Sequence, residues 1–350
     1  MASKKQFERI IDGKQVSLFK LKNTMQSELY ITNYGSRIVS LLVKDKDGQM
    51  TDVVVGFDSL DGYLTATEVY HGATIGRFAN RIAKGKFHIG DKEYQLNVNN
   101  DPNHLHGGPN GFHTKIWDVD DVQENSVALS YISPDGEEDY PGKLHVKTRF
   151  TLSDENEVII EYKATSDAET IINLTNHAYF NLNGQGNGPI LKHLLQINAG
   201  FFTPVDKTLI PTGILEPVDR TPFDFRTAET IGSRINDDHI QLRYGNGYDH
   251  NYVINRKTDE ITFTARVEAD RSGIIMDVFT DQPGVQFYTG NFMSGENIIK
   301  GHVPDDFRTA FCLETQHFPD APNQSQFPTT FLKPGKTFIS STIYKFSIKQ

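Results

Sequence analysis

The chain has 350 residues, a formal net charge of −10 at neutral pH and a single cysteine, Cys312. One cysteine excludes an intrachain disulfide and a cysteine-based metal site, and scattered basic residues on an acidic chain argue against nucleic acid as a partner. Because the N-terminus has no apolar signal core and no segment approaches the roughly 20 apolar residues of a membrane-spanning helix, we expect a cytoplasmic protein with no membrane partner.

Short alternating or β-branched runs predict strands along the whole chain. In chain order they are Ile38–Val43, Asp52–Phe57, Val146–Leu152, Val158–Tyr162, Thr170–Leu174, Ile261–Val267, Gly273–Phe279 and Thr337–Phe346. Asp47–Gly48 is a turn dipeptide between the first two runs, which predicts a hairpin. Helical periodicity is scarce: the best candidates, Asp58–Leu64 and Glu229–Ile235, do not exceed about two turns.

This pattern predicts an all-β protein with two packed sheets and few short helices. The stretch Asn183–Pro189 is rich in Gly and Asn, but strand-like sequence flanks it on both sides, which favours a loop over a linker. We therefore expect one domain over residues 1–350.

Polar residues interrupt apolar sequence in the segment Gly76–Ile82, which contains Arg77, Asn80 and Arg81. The planar fork of donors on an arginine suits a carboxylate or the vicinal hydroxyls of a sugar. The alternative is structural, with the two arginines tying loops together through backbone carbonyls.

The sequence Asn103–Gly108 contains His104 and His106, a spacing found in metal sites of the cupin type. If this stretch is extended, both side chains point the same way. The glycines that follow, Gly107 and Gly108, instead favour close approach of the backbone to a ligand. A histidine hydrogen-bonded within a loop is the third interpretation.

Two further segments combine titratable and aromatic residues. His177 lies in the apolar run Leu174–Leu182, where it is either a hydrogen-bonded core residue or a proton donor near neutral pH. Asp249 follows a glycine-containing turn, where it either accepts hydrogen bonds from sugar hydroxyls or closes a turn with its own backbone.

Glu314 lies in an alternating segment, Phe311–Asp320, that predicts a strand buried on both faces. A carboxylate in such a place must be paired or have a raised pKa, which makes Glu314 a candidate base. The alternative is a structural salt bridge to one of the arginines above. Motifs for nucleotides, zinc proteases and serine hydrolases are missing from the sequence.

Eight segments in order, NYGSRI, GRFANRI, NHLHGG, SPDGEEDYPG, LTNHAYFNLNG, YDHNYVI, GVQFYTGN and CLETQHFPDAPN, resemble the aldose 1-epimerase (galactose mutarotase) family. The resemblance runs from about residue 15 to the C-terminus. It implies a large antiparallel β-sandwich, the galactose mutarotase-like supersandwich, with an active site that needs no cofactor and no metal. It also implies aldohexose substrates such as galactose and glucose, acted on by a monomer or homodimer.

The resemblance assigns roles to particular residues. It makes His177 the general acid and Glu314 the general base. Its sugar-binding groups fall on Asn80, Arg81, His106, Asp249 and Gln286, with Tyr179 as a further residue of the pocket. His104 and Arg77 receive no role from it.

Three alternatives to this function stay open at this point. They are a hexose-6-phosphate 1-epimerase, a non-catalytic carbohydrate-binding β-sandwich, and a metal-dependent isomerase built on His104 and His106. Phosphate would need convergent basic groups, and Arg220, Arg226 and Arg243 form no cluster in the sequence.

Overall fold

The computed structural model describes residues 2–349, and its largest element is an antiparallel sheet of nine strands. In spatial order these are Asp118–Val122, Ser126–Ser133, Leu144–Leu152, Glu157–Ser166, Thr337–Ile348, Ile274–Thr280, Thr262–Glu268, Leu194–Ile197 and Glu229–Thr230. Burial alternates along Leu144–Leu152, where the even-numbered residues are buried and the odd-numbered residues are half-buried or exposed. The period-two pattern of the sequence thus produces one face that packs on the core.

The two edges of this sheet differ from its centre. At one edge, Asp118–Val122 is short, rich in aspartate and interrupted by a bulge between Val119 and Asp121. At the other, Glu229–Thr230 has only two residues.

A five-stranded antiparallel sheet contains the chemically interesting segments. Its strands are, in spatial order, Glu216–Pro217, Ala199–Phe202, Asp249–Ile254, Gly284–Tyr288 and Cys312–Gln316. A four-stranded sheet near the N-terminus contains Leu18–Lys22, Glu28–Thr32, Arg37–Lys44 and Met50–Asp52. Its last two strands pair antiparallel with Lys44 opposite Met50, so the predicted hairpin is confirmed.

The remaining strands form two-stranded pairs. These are Arg9–Ile11 with Lys14–Val16, Lys86–Ile89 with Lys92–Gln95, Arg81–Ile82 with His104–Leu105, Thr170–Ile171 with Phe331–Leu332, Thr74–Ile75 with Thr175–Asn176, Val54–Val55 with Tyr179–Phe180, and Ile298–Ile299 with Val303–Pro304. The helices are short: Lys4–Phe7, Leu60–Thr65 and Ile240–Gly245 are α-helical, and Ala83–Gly85, Phe112–Thr114, Glu137–Asp139 and Ala321–Asn323 are 3₁₀ turns.

Most predicted strands are confirmed, but the helix predicted over Glu229–Ile235 is wrong. Only the edge strand Glu229–Thr230 forms there, because the next amides bond elsewhere: Ile231 donates to the His193 carbonyl and Gly232 to that of Leu191. The helix predicted near residue 60 does form, over Leu60–Thr65.

Two predicted strands are shorter than the sequence indicated. The run from Thr170 is a strand only to Ile171, because Ile172 donates to the Thr330 carbonyl and Asn173 to that of Arg77. The run from Asp52 is interrupted at Val53, whose amide bonds the Leu41 carbonyl. In both places the backbone changes partner within two residues, which apolar periodicity does not reveal.

The largest apolar cluster draws its members from both ends of the chain, from Leu21 to Phe346, and includes the buried Trp117. This shared core supports the prediction of one domain, which stays a prediction. Within residues 2–349, none of the helices has the length and apolar character needed to cross a bilayer.

Candidate active site

Four polar residues share one face of the five-stranded sheet because of strand register. Gln286 pairs directly with Glu314 on one side and with Asn251 on the other. Asp249 is two residues from Asn251 and therefore points to the same face. The Gln286 amide donates to Asp249 Oδ1 over 2.6 Å. The strand Cys312–Gln316 is buried along its whole length, as the sequence predicted.

The opposite wall comes from the paired strands Arg81–Ile82 and His104–Leu105 and from the turns beside them. Asn80 and His106 both have positive φ, and they are locked together by two hydrogen bonds. The His106 amide donates to the Asn80 carbonyl over 3.0 Å, and the Asn80 amide donates to His106 Nδ1 over 3.1 Å. Gly107 permits this close packing, since a Cβ there would lie 1.8 Å from the Gly76 carbonyl oxygen.

His177 lies between two short strands, Thr175–Asn176 and Tyr179–Phe180, and not in the middle of one longer strand. Its amide donates to the Ala73 carbonyl and its own carbonyl accepts from Gly72, each over 2.9 Å. These bonds hold the ring with Nε2 3.6 Å from Glu314 Oε1, and both side chains are almost fully buried.

These elements enclose one cavity that brings most of the predicted residues together. Seven of the eight line it: Asn80, Arg81, His106, His177, Tyr179, Asp249 and Glu314. Gln286 does not line the cavity and instead contacts it through its hydrogen bond to Asp249.

Burial dominates the electrostatics of the central pair. It raises the pKa of Glu314 well above its ordinary value, and the negative charge of Asp249 raises it further. Burial lowers the pKa of His177 to about 3. Both shifts favour the neutral pair, with the proton on the carboxyl group and not on the imidazole. Within residues 2–349, Glu314 Oε2 has no hydrogen-bond partner, which leaves an acceptor for a ligand hydroxyl.

The side chains of His106, His177 and Glu314 offer ligand atoms within 4.8 Å of one another. The tautomer of His106 disfavours the binding of a metal ion at this position. Its Nδ1 accepts a backbone N–H that cannot lose its hydrogen, so a neutral ring carries its proton on Nε2 and has no lone pair to give. The arrangement suits a hydrogen-bond donor to a sugar oxygen better than a metal ligand.

A larger cavity, of about 670 Å³, lies elsewhere and lacks such chemistry. Its polar side chains are already engaged: His317 bonds Gln282, and Arg256 bonds Asp259 and the Asp281 carbonyl. Size therefore does not identify the active site here.

The sequence profile of the aldose 1-epimerase family matches residues 17–345. The galactose mutarotase of Rattus norvegicus is 46% identical over 338 residues, which cover 96% of this chain and 95% of that protein. The chain belongs to the aldose 1-epimerase family.

Bacterial and structural relatives agree with this membership. The aldose 1-epimerase of Escherichia coli K12 is 34% identical, with 96% of each chain covered. A crystal structure of an aldose epimerase homologue from C. elegans superposes with a TM-score of 0.88 at 30% identity, covering 96% of this chain and all of the other. The galactose 1-epimerase of Lactobacillus acidophilus gives a TM-score of 0.85 at 28% identity, over 98% and 97% of the two chains. The predicted family, fold and isomerase class are confirmed.

Within this aldose 1-epimerase, several alternatives drawn from the sequence are resolved by contacts. Arg77 is the structural arginine: it donates to the carbonyls of Pro141 and Gly142, each over 2.8 Å. Arg81 lines the cavity, with Nη1 3.8 Å from Asp249 Oδ2. The turn interpretation of Asp249 is wrong, because this residue begins a strand and accepts from Gln286.

The extended backbone that would make His104 and His106 face the same way is not present. The positive φ of His106 ends the extended stretch and turns its ring to the cavity. His104 uses both ring nitrogens elsewhere, with the Asn97 carbonyl and the Tyr140 hydroxyl each at 2.6 Å. Among residues 2–349 the arginine salt bridge considered for Glu314 does not form, and the basic side chain within 4 Å of its carboxyl group is His177.

Sequence reasoning missed five residues of the cavity of this aldose 1-epimerase: Glu68, Tyr70, Leu105, Tyr288 and Phe292. The Tyr70 ring packs on His106 at 4.6 Å and stacks on His177 at 5.9 Å between centroids. Tyr288 is the last residue of the strand of Gln286, opposite Asp249, so sheet register was the signal that could have found it, and Phe292 lies just beyond that strand. Glu68 and Tyr70 lie in a connecting segment with no motif.

Proposed function

We propose that this aldose 1-epimerase interconverts the α- and β-anomers of free aldohexoses such as galactose and glucose, with Glu314 as base and His177 as acid. One observation carries the proposal: a buried imidazole and a buried carboxyl group lie 3.6 Å apart in a cavity lined by sugar-compatible donors and acceptors. Anomer exchange needs one proton removed and one supplied, and this pair provides both.

The proposed reaction begins with Glu314 ionised and His177 protonated. Glu314 takes the proton of the O1 hydroxyl, His177 gives its proton to the ring oxygen O5, and the C1–O5 bond breaks to leave a free aldehyde. Rotation about C1–C2 presents the other carbonyl face, and O5 attacks it while both protons return. No atom is gained or lost, and the base and acid exchange roles between opening and closure.

Burial supports the second half of this cycle. At the open-chain stage Glu314 holds the proton and His177 is neutral, which is the distribution that burial favours. The state with both groups charged has the same total charge and differs by one proton transfer over 3.6 Å. The buried environment therefore stabilises the open-chain state, in which both groups are neutral, more than water around the same two groups would.

The surrounding residues are proposed to hold the sugar while C1 turns. Arg81 and His106 offer donors, Asp249 offers acceptors, and the Asn80 carbonyl fixes the His106 backbone. Gln286 holds the Asp249 carboxylate in position through a hydrogen bond of 2.6 Å. Fixing the hydroxyl groups reduces the entropy cost of each reclosure.

The variant Glu314→Gln tests the assignment. It keeps the shape of the side chain and removes the carboxylate that acts as base. We therefore expect kcat to fall about 10²–10⁴-fold, measured by NMR or polarimetry on freshly dissolved α-galactose. Glu155→Gln, an exposed site that makes the same chemical change, serves as the matched control. Near wild-type turnover by Glu314→Gln would overturn the role of base.

The same assay separates the alternatives. A carbohydrate-binding protein without catalysis predicts sugar binding with no acceleration over buffer. A metal-dependent isomerase predicts loss of activity after treatment with a chelator, and we expect none. A hexose-6-phosphate epimerase predicts faster turnover of glucose 6-phosphate than of galactose.

A further inference from the structure

Glu68 places a third carboxyl group on the wall of the catalytic cavity, beside Asp249 and Glu314. It is half-buried, and two short contacts fix its position. Its Oε1 accepts from the Tyr70 amide over 3.3 Å, and its backbone carbonyl lies 3.0 Å from His71 Nδ1. His71 in turn stacks on the ring of Tyr179, which is itself part of the cavity, with 4.4 Å between ring centroids.

The charges around this cavity do not balance. Within residues 2–349, Arg81 is the one lysine or arginine on its lining. Arg81 is already paired, with Nη1 3.8 Å from Asp249 Oδ2 and Nε donating to Asn100 Oδ1 over 3.0 Å. The cavity histidines add no positive charge near neutral pH, because burial lowers the pKa of His177 to about 3 and that of His106 well below its ordinary value.

Glu68 is the acid that the reaction does not use. Glu314 serves as base and Asp249 is held by Gln286, whereas the Glu68 carboxyl group has no lysine or arginine within salt-bridge distance among the described residues. Burial raises the pKa of Glu68 to about 7, so it is mostly ionised at pH 8. An ionised, half-buried group with no countercharge projects its field into the cavity.

We infer that Glu68 is a specificity-determining residue, whose carboxylate makes the site discriminate against sugars bearing an anionic substituent, such as uronates and sugar phosphates. This inference rests on the proposed function. Uncharged hydroxyl groups donate hydrogen bonds to the residues of the lining, or accept them from these residues, at no electrostatic cost. A second negative charge in the same cavity is opposed by Glu68 and finds no free cation to offset it.

A charge series on one sugar scaffold tests the inference. Galactose, galacturonate and 6-amino-6-deoxygalactose differ only at C6, where they are neutral, anionic and cationic at pH 8. The measured quantity is kcat/KM for anomer exchange by NMR, with the spontaneous rate subtracted. The relevant result is the kcat/KM for galacturonate divided by that for galactose, because this ratio cancels any general loss of activity in a variant.

Glu68→Gln removes the charge and keeps a side chain of the same size that still hydrogen-bonds. We expect it to raise the galacturonate-to-galactose ratio on the order of tenfold. Glu68→Asp keeps the charge and should leave the ratio within about threefold of wild type. Glu155→Gln, which makes the same change at an exposed position, should also leave it unchanged. If the ratio stays at the wild-type value in Glu68→Gln, the inference is wrong.

The wild-type enzyme provides a measurement that does not depend on any variant folding. Its kcat/KM should be lower for the anionic sugar than for the neutral and cationic sugars. Equal kcat/KM for galacturonate and galactose would also overturn the inference. Failure of the proposed function looks different. In that case galactose itself would show no acceleration over buffer, whatever the substituent at C6.

Discussion

The thiol of Cys312 lies 3.5 Å from Nδ1 of His177, on the side of the ring opposite to Glu314. Burial raises the pKa of this thiol well above its ordinary value, so it keeps its hydrogen. In the proposed reaction Nε2, the nitrogen 3.6 Å from the carboxyl group, gains and loses the proton, so the ring's other hydrogen stays on Nδ1 and is donated to Cys312 Sγ. Cys312 is then a positioning residue that selects the tautomer of His177.

The substitution Cys312→Ala removes this acceptor, while Cys312→Ser replaces it with a hydroxyl group. We expect kcat to fall about 2- to 10-fold in the alanine variant, the size of one hydrogen bond of about 0.5–1.5 kcal/mol, and to recover in the serine variant. Nitrogen NMR of His177 should show proton occupancy shifting from Nδ1 toward Nε2 only in Cys312→Ala. An unchanged tautomer in that variant would contradict the role.

The raised pKa of Glu314 predicts the alkaline side of the pH profile. The pair needs one proton in total, so kcat/KM should fall as pH rises through the raised pKa of Glu314, where that proton is lost. Initial rates across a pH series, corrected for the spontaneous reaction, would measure this limb. The same series in Glu68→Gln separates any contribution from Glu68, whose pKa of about 7 lies in the accessible range. A flat profile up to strongly alkaline pH would count against the assignment.

Buried neutral histidines should make the fold sensitive to acid. Burial lowers the pKa of eight: His71, His104, His106, His113, His177, His193, His250 and His317. Their folded pKa values lie below the unfolded value of 6.5, so the unfolded chain binds more protons. Stability is therefore complete above about pH 6.5 and is lost as pH falls toward 4.

Each histidine contributes about 1.4 kcal/mol per pH unit in that range. Glu68, Glu314 and Asp320 have raised pKa values and act in the opposite direction, but they are fewer. Urea unfolding at pH 7 and pH 5 should show a lower midpoint at pH 5, and unfolding at pH 5 should take up several protons. Equal midpoints would show that the histidines are not neutral in the folded protein.

Lys300 is almost fully buried and joins the four-stranded sheet to the loop that contains it. Its ammonium donates to Asp52 Oδ2 and to the carbonyls of Val39 and Val54, at 2.7–2.9 Å. Lys300→Met leaves these acceptors unpaired, and we expect the free energy of unfolding to fall by about 3–5 kcal/mol. Lys207→Met, at an exposed position, is the control. The double variant with Asp52→Asn should recover part of the loss, and no loss in the single variant would refute the expectation.

The sequence located some of the site and fold for reasons that can be stated for each residue. Glu314 was identified by alternation, because an acid between buried strand neighbours is costly unless it has a function. His177 needed the family resemblance, since a histidine in an apolar run is most often structural. Glu68 was out of reach, because its place on the cavity depends on how a connecting segment packs, with His71 stacked on Tyr179. The helix predicted at Glu229 failed because amides there bond other segments of the chain.

The edges of the nine-stranded sheet decide how this protein behaves at high concentration. A broad sheet with a flat exposed edge invites strand pairing between molecules. Here one edge strand holds Asp118, Asp120 and Asp121 and is bent by a bulge, while the other has two residues. Each aspartate pairs with a basic side chain, Asp118 with Lys14, Asp120 with Lys147 and Asp121 with Arg149. A second molecule that docked on this edge would have to remove water from these charged pairs and could not align a ladder across the bulge. Protonating the aspartates would leave three uncompensated positive charges, so the edge stays charged in acid even as the fold weakens.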